Sequence, residues 1–203
     1  VTNPPFDPIR EKIVMSLRCP IGPEGNMLEP NAKQTKRLWL EHPILSISDL
    51  EVLKVTKHRN WSSHVINTTY NVSNGTAGLK THLENISKEA TQACNKNQIL
   101  ILSDRQVGEK WVPVGSLLAL GAVHHRLIEA RTRMKVALIV ETAEARLVHD
   151  ICVLLGYGAD AICPYLPLEL ASSLRTDGTL NSHLTDKHIY NNYAEALNIG
   201  ILN

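Results

Sequence analysis

The chain has 203 residues, a formal net charge of +1, 20% charged residues and 4% aromatic residues. This length allows one or two domains with a substantial hydrophobic core. Because Lys and Arg are scattered and aromatic side chains are scarce, we expect no nucleic-acid partner. No apolar run reaches the roughly 20 residues of a transmembrane helix, so we expect no membrane partner either.

The N-terminal part of the chain predicts a stiff segment followed by short elements. Prolines at positions 4, 5 and 8 exclude a helix or a central strand there, and the glycines within residues 21–26 predict a turn. Asn31 is the predicted N-cap of a helix over residues 31–40. Ser48, with Glu51 three residues later, predicts a capped helix over residues 48–54. Residues 61–70 predict a strand, and residues 77–95 predict a helix.

Three continuous apolar runs dominate residues 77–166. They lie at residues 98–103, 136–142 and 159–164, and helical patterns over residues 115–130 and 143–155 separate them. Apolar residues without alternation indicate strands that are covered on both faces. The order of elements predicts an α/β fold, with a parallel β-sheet of about four strands flanked by helices and joined by right-handed βαβ crossovers. We therefore assign residues 77–166 to a βαβ core.

Polar residues follow the predicted strands at the ends where open α/β sheets bind ligands. The predicted ligand edge consists of Ser103, Asp104, Arg105, Glu141 and Thr142.

The carboxylates Asp104, Glu141 and Glu144 suggest a catalytic carboxylate pair. Helix capping is the alternative that we favour, with Thr142 as N-cap and Glu144 in the first turn of the helix over residues 143–155. Gly156 is the predicted C-cap of the same helix. No catalytic residue is assigned.

The cysteines and histidines form no recognisable metal motif. Cys19, Cys94, Cys152 and Cys163 lack CxxC spacing, and we interpret them as buried thiols in a reducing compartment. His124 and His125 are adjacent on a predicted helix and point about 100° apart, which makes them poor joint ligands of one ion. Packing of one of them with a satisfied nitrogen is the favoured interpretation, and a metal site is the alternative.

Five Asn-x-Ser/Thr sequences suggest a secreted glycoprotein; they begin at Asn60, Asn67, Asn71, Asn74 and Asn85. We favour their chance occurrence in an Asn-rich stretch, because Asn85 lies within a predicted helix and the cysteines indicate a reducing compartment. The expected location is the cytoplasm, with an organelle as the alternative.

The C-terminal part predicts a helix over residues 166–174, a polar loop over residues 175–186 and a final helix over residues 187–202. The chain begins with Val1, and the helical pattern is still continuing at Asn203. We therefore expect it to be a fragment of a longer protein.

Several strings resemble the central domain of glutamate synthases, most closely the eukaryotic form that uses a pyridine nucleotide. The resemblance covers nearly the whole chain in order. It is carried by residues 3–17 (NPPFDPIREKIVMSL), 21–28 (IGPEGNML), 101–105 (ILSDR), 121–125 (GAVHH), 140–146 (VETAEAR) and 154–166 (LLGYGADAICPYL), and by residues 192–202.

The resemblance implies a part of an oxidoreductase that makes L-glutamate from glutamine and 2-oxoglutarate. In this family a glutaminase domain releases ammonia, and a synthase domain with FMN and an iron–sulfur cluster uses it, with NADH or NADPH as donor and FAD in the parent or its partner. The central domain joins the two and helps to form the ammonia tunnel. The resemblance implies no cofactor in this chain, and its implied partners are the two flanking domains and ammonia in transit. The isolated fragment is expected to be inactive.

Within this resemblance, residues 1–30 lead into the domain and residues 187–203 begin the link to the flavin domain. A tunnel for neutral ammonia needs uncharged walls and exclusion of bulk water. Thr2, Asn3, Asn26 and Met27 have this character and are the predicted tunnel-lining residues. The alternative is a free-standing α/β module without catalysis, which binds a small anion at the predicted ligand edge or has a regulatory role.

Overall fold

Aliphatic runs form the centre of the fold, as their lack of alternation predicts. The structure is a computed structural model that describes residues 14–202. The strands are β1 (Cys19–Ile21), β2 (Leu38–Leu40), β3 (Ser63–Asn67), β4 (Thr69–Asn71), β5 (Ile99–Ser103), β6 (Trp111–Pro113), β7 (Ala137–Thr142) and β8 (Ala161–Pro164). The α-helices are α1 (Ile47–Lys54), α2 (Gly75–Ala93), α3 (Ser116–Glu129), α4 (Val148–Gly156), α5 (Tyr165–Thr176) and α6 (Asp186–Leu202).

The main sheet has four parallel strands in the order β3-β5-β7-β8. Its register places Ser103 of β5 beside Glu141 of β7, and Thr142 beside Pro164 of β8. The polar residues at the strand ends therefore share one edge. The predicted α/β fold with about four parallel strands is confirmed. Two antiparallel ribbons, β1–β2 and β4–β6, accompany the sheet.

Both faces of the sheet are covered, because successive side chains of a strand point to opposite faces. Leu100 and Leu102 of β5 pack in one core with residues of α2, α3 and α4. Ile99 and Ile101 pack in a second core with Leu50 and other residues of α1 and α5. These side chains are almost fully buried, and each contributes about 1.5–3 kcal/mol of transfer free energy.

The prediction of a helix over residues 31–40 is wrong. The structure has a short 3₁₀ turn at Ala32–Thr35, followed by strand β2. Leu38 of this strand pairs with Ile21, and Leu40 pairs with Cys19, in an antiparallel ribbon. A partner strand almost twenty residues away thus overrides the local helical pattern, because local propensity is a weak prior.

Three further predictions need correction at element boundaries. Helix α1 begins at Ile47, and its N-cap is Ser46, whose Oγ accepts from the backbone N–H of Asp49 at 3.0 Å. Residues 61–70 form two strands, β3 and β4, which lie in different sheets. The helix predicted over residues 143–155 begins only at Val148.

Candidate functional site at the carboxyl edge of the sheet

Glu141 is the centre of the predicted ligand edge. It is the fifth residue of β7, and its side chain is completely buried. Its Oε2 accepts from Ser103 Oγ at 2.7 Å, and its Oε1 accepts from Lys54 Nζ and Arg105 Nε, each at 3.0 Å. An ionised carboxylate without partners would be very costly to bury, so these three donors are what allow Glu141 to lie there.

The two cations that contact Glu141 each bind a second, more exposed carboxylate. Lys54 Nζ lies 2.8 Å from Glu51 Oε1, and Arg105 Nη1 donates to Glu169 Oε1. Although burial lowers the pKa of Lys54, its hydrogen bonds to Glu51 and Glu141 raise that pKa above its ordinary value. Burial also lowers the pKa of Arg105, but its hydrogen bonds to Glu169 and Glu141 raise that pKa above its ordinary value. Both side chains are therefore held as cations.

Asp104 and Thr142 form a second buried pair beside this network. Thr142 Oγ1 and the backbone N–H of Ala143 donate to Asp104 Oδ2 at 2.8 and 2.9 Å. The Tyr165 ring lies beneath the Arg105 guanidinium, whose carbon is 4.0 Å from the ring centroid. Burial and the neighbouring Asp104 carboxylate raise the pKa of the Tyr165 hydroxyl. Tyr165 therefore stays neutral, and it links the start of α5 to both parts of the edge.

The structure thus brings all five predicted edge residues together. Sequence reasoning missed Lys54, Glu51, Glu169 and Tyr165, which complete the cluster. Lys54 and Glu141 are 87 positions apart, and no local pattern marks them as partners. Lys54 is the last residue of the predicted helix over residues 48–54, and that local pattern gave no signal for the burial of its charge.

The chemistry of the edge is that of an internal ion network. Three carboxylates (Glu51, Glu141 and Glu169) pair with two cations, so both cations are already occupied. The network fastens α1 and α5 to the ends of β5 and β7. It offers no unpaired cation to a small anion. Within residues 14–202, no three His, Cys, Asp or Glu side chains are placed to hold a metal ion together.

The prediction that Thr142 and Glu144 cap the helix over residues 143–155 is wrong. Glu144 Oε2 accepts from the backbone N–H of Ser116 at 2.6 Å, so it caps α3. Helix α4 is capped by Asp150, whose Oδ2 accepts from the backbone N–H groups of Arg146 and Leu147, each at 3.0 Å. These two hydrogen bonds lower the pKa of Asp150. A capping residue is thus supplied across the edge to a neighbouring helix.

The predicted tunnel-lining residues are only partly within the described structure. Thr2 and Asn3 lie outside the described residues. Asn26 lies in an exposed turn, where its Oδ1 accepts from the backbone N–H of Leu28 at 3.0 Å. Met27 is 92% exposed and Leu28 is 89% exposed. The turn therefore presents two apolar side chains to its surroundings, remote from the ion network in sequence.

His124 has a protein partner. Its Nδ1 accepts from Arg133 Nε at 3.1 Å, and Arg133 also donates to Gly158 O and to Asp160 Oδ2. Burial, Arg133 and the adjacent His125 lower the pKa of His124. The left-handed glycine after α4 is Gly158, with φ of 105°, and not Gly156, which is the last helical residue.

The remaining sequence candidates are placed as follows. Asn67 and Asn71 use their side-chain oxygens in local turns, accepting from the backbone N–H groups of Thr69 and Ser73. All four cysteines are free thiols; Cys94 and Cys163 are buried, whereas Cys19 and Cys152 are half-buried. In the part of the chain that the structure describes, no helix is both long and apolar enough to cross a membrane.

The fold and the edge together define an α/β domain whose strand-end carboxylates hold helices in place. Residues 1–203 match the family described as "Glutamate synthase central domain". "Glutamate synthase [NADH]" of Schizosaccharomyces pombe is 44% identical over 205 residues, covering 100% of this chain and 10% of that protein. The Saccharomyces cerevisiae protein of the same description is 42% identical, with 100% and 10% covered. "Glutamate synthase [NADPH] large chain" of Bacillus subtilis is 35% identical, with 100% and 13% covered.

The chain belongs to the glutamate synthase central domain family. It spans about a tenth of the length of the curated relatives that it matches.

Proposed function

We propose that the chain is the connecting domain of a glutamate synthase. In this role it joins a glutaminase domain to a synthase domain and helps to form the tunnel that carries ammonia between them. The parent enzyme makes L-glutamate from glutamine and 2-oxoglutarate. The division into residues 1–30, 77–166 and 187–203 belongs to this proposal.

The observation that carries the proposal is the internal pairing of the strand-end residues. In many α/β enzymes this edge presents reactive groups to a ligand. Here Glu141 accepts from three protein donors, and Lys54 and Arg105 each bind two carboxylates. Groups that are paired in this way stabilise the fold and are themselves not free for proton transfer or nucleophilic attack. A connecting role fits this arrangement better than catalysis does.

We assign the cofactors of the parent to other parts of the enzyme. These cofactors are FMN, an iron–sulfur cluster and NADH or NADPH, with FAD in the parent or its partner. Neither the cysteines nor the carboxyl edge of this chain suits them. An iron–sulfur cluster needs several thiolates close together, whereas no three His, Cys, Asp or Glu side chains within residues 14–202 are placed to hold a metal together. A flavin phosphate needs free donors, whereas both edge cations are already paired. The yeast relatives are described as NADH enzymes, which supports NADH as the donor.

The turn at Asn26 and Met27 is the part of the described structure that we assign to the tunnel, together with Thr2 and Asn3. Ammonia must cross as a neutral molecule, so a negative charge in the wall would promote protonation and leakage. We therefore expect Met27→Glu and Asn26→Asp, made in the full-length polypeptide, to release free ammonia into solution. Glutamine hydrolysis should continue at its original rate, because the glutaminase active site is elsewhere.

The measurement is free ammonia released per glutamine consumed. Val72→Glu is the matched control, because Val72 is also an exposed apolar residue, 51% accessible, on a different part of the surface. Tight coupling in both turn variants would refute the tunnel assignment. Turnover of glutamine or 2-oxoglutarate by the 203-residue chain alone would refute the connecting role itself.

The four free thiols support the expected location in the cytoplasm or a reducing organelle.

A further inference from the structure

A cavity opens at the end of the sheet opposite to the ion network. It lies between the β1–β2 ribbon, the C-terminal part of α1 and the 3₁₀ turn at His58–Asn60. Its volume is about 300 Å³, at the lower limit of the range for small-molecule sites. Ile99, the first residue of β5, is part of its lining. No residue of its lining belongs to the carboxyl edge or to the turn at Asn26 and Met27, although Arg37 of the lining pairs with Glu24 just before that turn.

The floor of the cavity is apolar and firmly held. Leu53 and Ile99 are buried, and Trp61 lies beside them in the lining. The Trp61 indole packs directly on Gly22, where an added Cβ would lie 2.2 Å from the ring. Gly22 also has a left-handed φ of 114°. The ribbon and the indole therefore form a fixed apolar wall.

The rim of the cavity is cationic. Arg37, His58 and Arg59 belong to the lining, which contains no Asp or Glu. Arg37 is compensated by Glu24, whose Oε1 lies 2.9 Å from its Nη1, but its buried Nε has no hydrogen-bond partner among the described residues. The exposed Arg59 forms no ion pair within residues 14–202.

The backbone holds the rim in an unusual conformation. Arg59 has φ of 55° and ψ of 28°, and Asn60 has φ of 64°. Left-handed conformations are uncommon for residues other than glycine, and two in succession are costly. The turn is kept closed by hydrogen bonds from the N–H of Asn60 to Lys57 O and from the N–H of Trp61 to His58 O. Strained residues of this kind often occur at ligand clamps.

We propose that this cavity binds a small amphipathic anion, a carboxylate or phosphate ester with one compact apolar group. The apolar group packs on Leu53, Trp61 and Ile99, and the anionic group binds Arg59 and His58. A guanidinium recognises carboxylate and phosphate through the same paired donors. All residues of the proposed site belong to this chain, and the proposal does not rest on the proposed connecting function.

The test uses isothermal titration of the full-length polypeptide with phenylacetate and with phenyl phosphate. We expect saturable binding with a dissociation constant below about 1 mM, which corresponds to about −4 kcal/mol. The tighter of the two probes identifies the headgroup. Phenylacetamide keeps the ring without the charge, and acetate and inorganic phosphate keep the charge without the ring. Each of these three should bind at least tenfold more weakly.

Two variants and one matched control assign the binding to this cavity. Arg59→Ala should weaken binding at least tenfold, and Val52→Trp should block the cavity from its exposed lip. Arg131→Ala is the control, because Arg131 is also an exposed arginine with a left-handed φ, of 56°, and lies outside the lining. Absence of binding by both phenyl probes up to about 10 mM would overturn the proposal. Equal losses in Arg59→Ala and Arg131→Ala would overturn it as well.

Discussion

The ion network predicts that Glu141→Gln strongly destabilises the chain. The substitution keeps the shape of the side chain but removes the charge that Lys54 and Arg105 share at 3.0 Å each. Loss of one member of a buried ion pair costs about 3–5 kcal/mol. Here each cation keeps a second carboxylate and is partly accessible, with 18% and 31% of the two side chains exposed. We therefore expect a loss of about 3 kcal/mol in the free energy of unfolding.

Equilibrium urea unfolding measures this loss, and a double-mutant cycle assigns its cause. Glu141→Gln leaves Lys54 without its buried partner, and Lys54→Met removes that cation. The double variant should therefore lose at least about 1 kcal/mol less than the sum of the single losses. Glu129→Gln is the matched control, because Glu129 pairs with Arg126 on the surface, and such pairs contribute about 0–1 kcal/mol.

Two results would refute this reasoning. A Glu141→Gln variant within about 0.5 kcal/mol of the wild-type chain would show that the network adds nothing to stability. Strict additivity with Lys54→Met would show that the 3.0 Å contact between the two side chains carries no coupling energy.

Three further predictions concern other parts of the fold. Gly158→Ala should cost at least about 1 kcal/mol in urea unfolding, because the added Cβ would lie 2.2 Å from the His124 ring at a left-handed φ; Gly156→Ala, in open space, should be neutral or stabilising. Burial and a neighbouring arginine lower the pKa of His124, so the unfolded chain binds this proton more readily. Stability should fall as pH decreases below about 6.5, and His124→Asn should reduce that slope. Iodoacetamide should modify the half-buried Cys152 before Cys163, as peptide mass spectrometry would show; equal rates would contradict the burial of Cys163.

The main sheet was predictable because its signal is local and redundant. Each of the runs that become β5, β7 and β8 is continuously apolar, and only a strand covered on both faces makes such a short run stable. The two helices between them have apolar residues at helical spacing. Both ends of α3 lie close to the predicted positions, whereas α4 ends as predicted but begins later. There the five residues after Thr142 bend across the edge, and Asp150 supplies the cap.

The ribbon β1–β2 and the complete ion network were not predictable in the same way. Leu38 and Leu40 form a strand because Ile21 and Cys19 lie beside them, and nothing within residues 31–40 specifies that pairing. Glu144 was correctly recognised as a capping residue, but its helix is α3, which lies before it in the chain. The sequence alone favoured the nearer helix because capping patterns are defined over a few adjacent positions.

The sequence by itself determined the fold class, the strand-end edge and the family. The fold class and the edge depend on hydrophobic patterning, and the family depends on long strings of residues that occur in order along the chain. The tertiary structure decided which charges meet. It brought Lys54 from α1 and Glu169 from α5 to the edge, and it left a cationic cavity around Arg59 at the other end. The physical reason is that the apolar pattern of a segment is visible in that segment alone. Ion pairing and cavity shape, in contrast, depend on where distant segments come to lie.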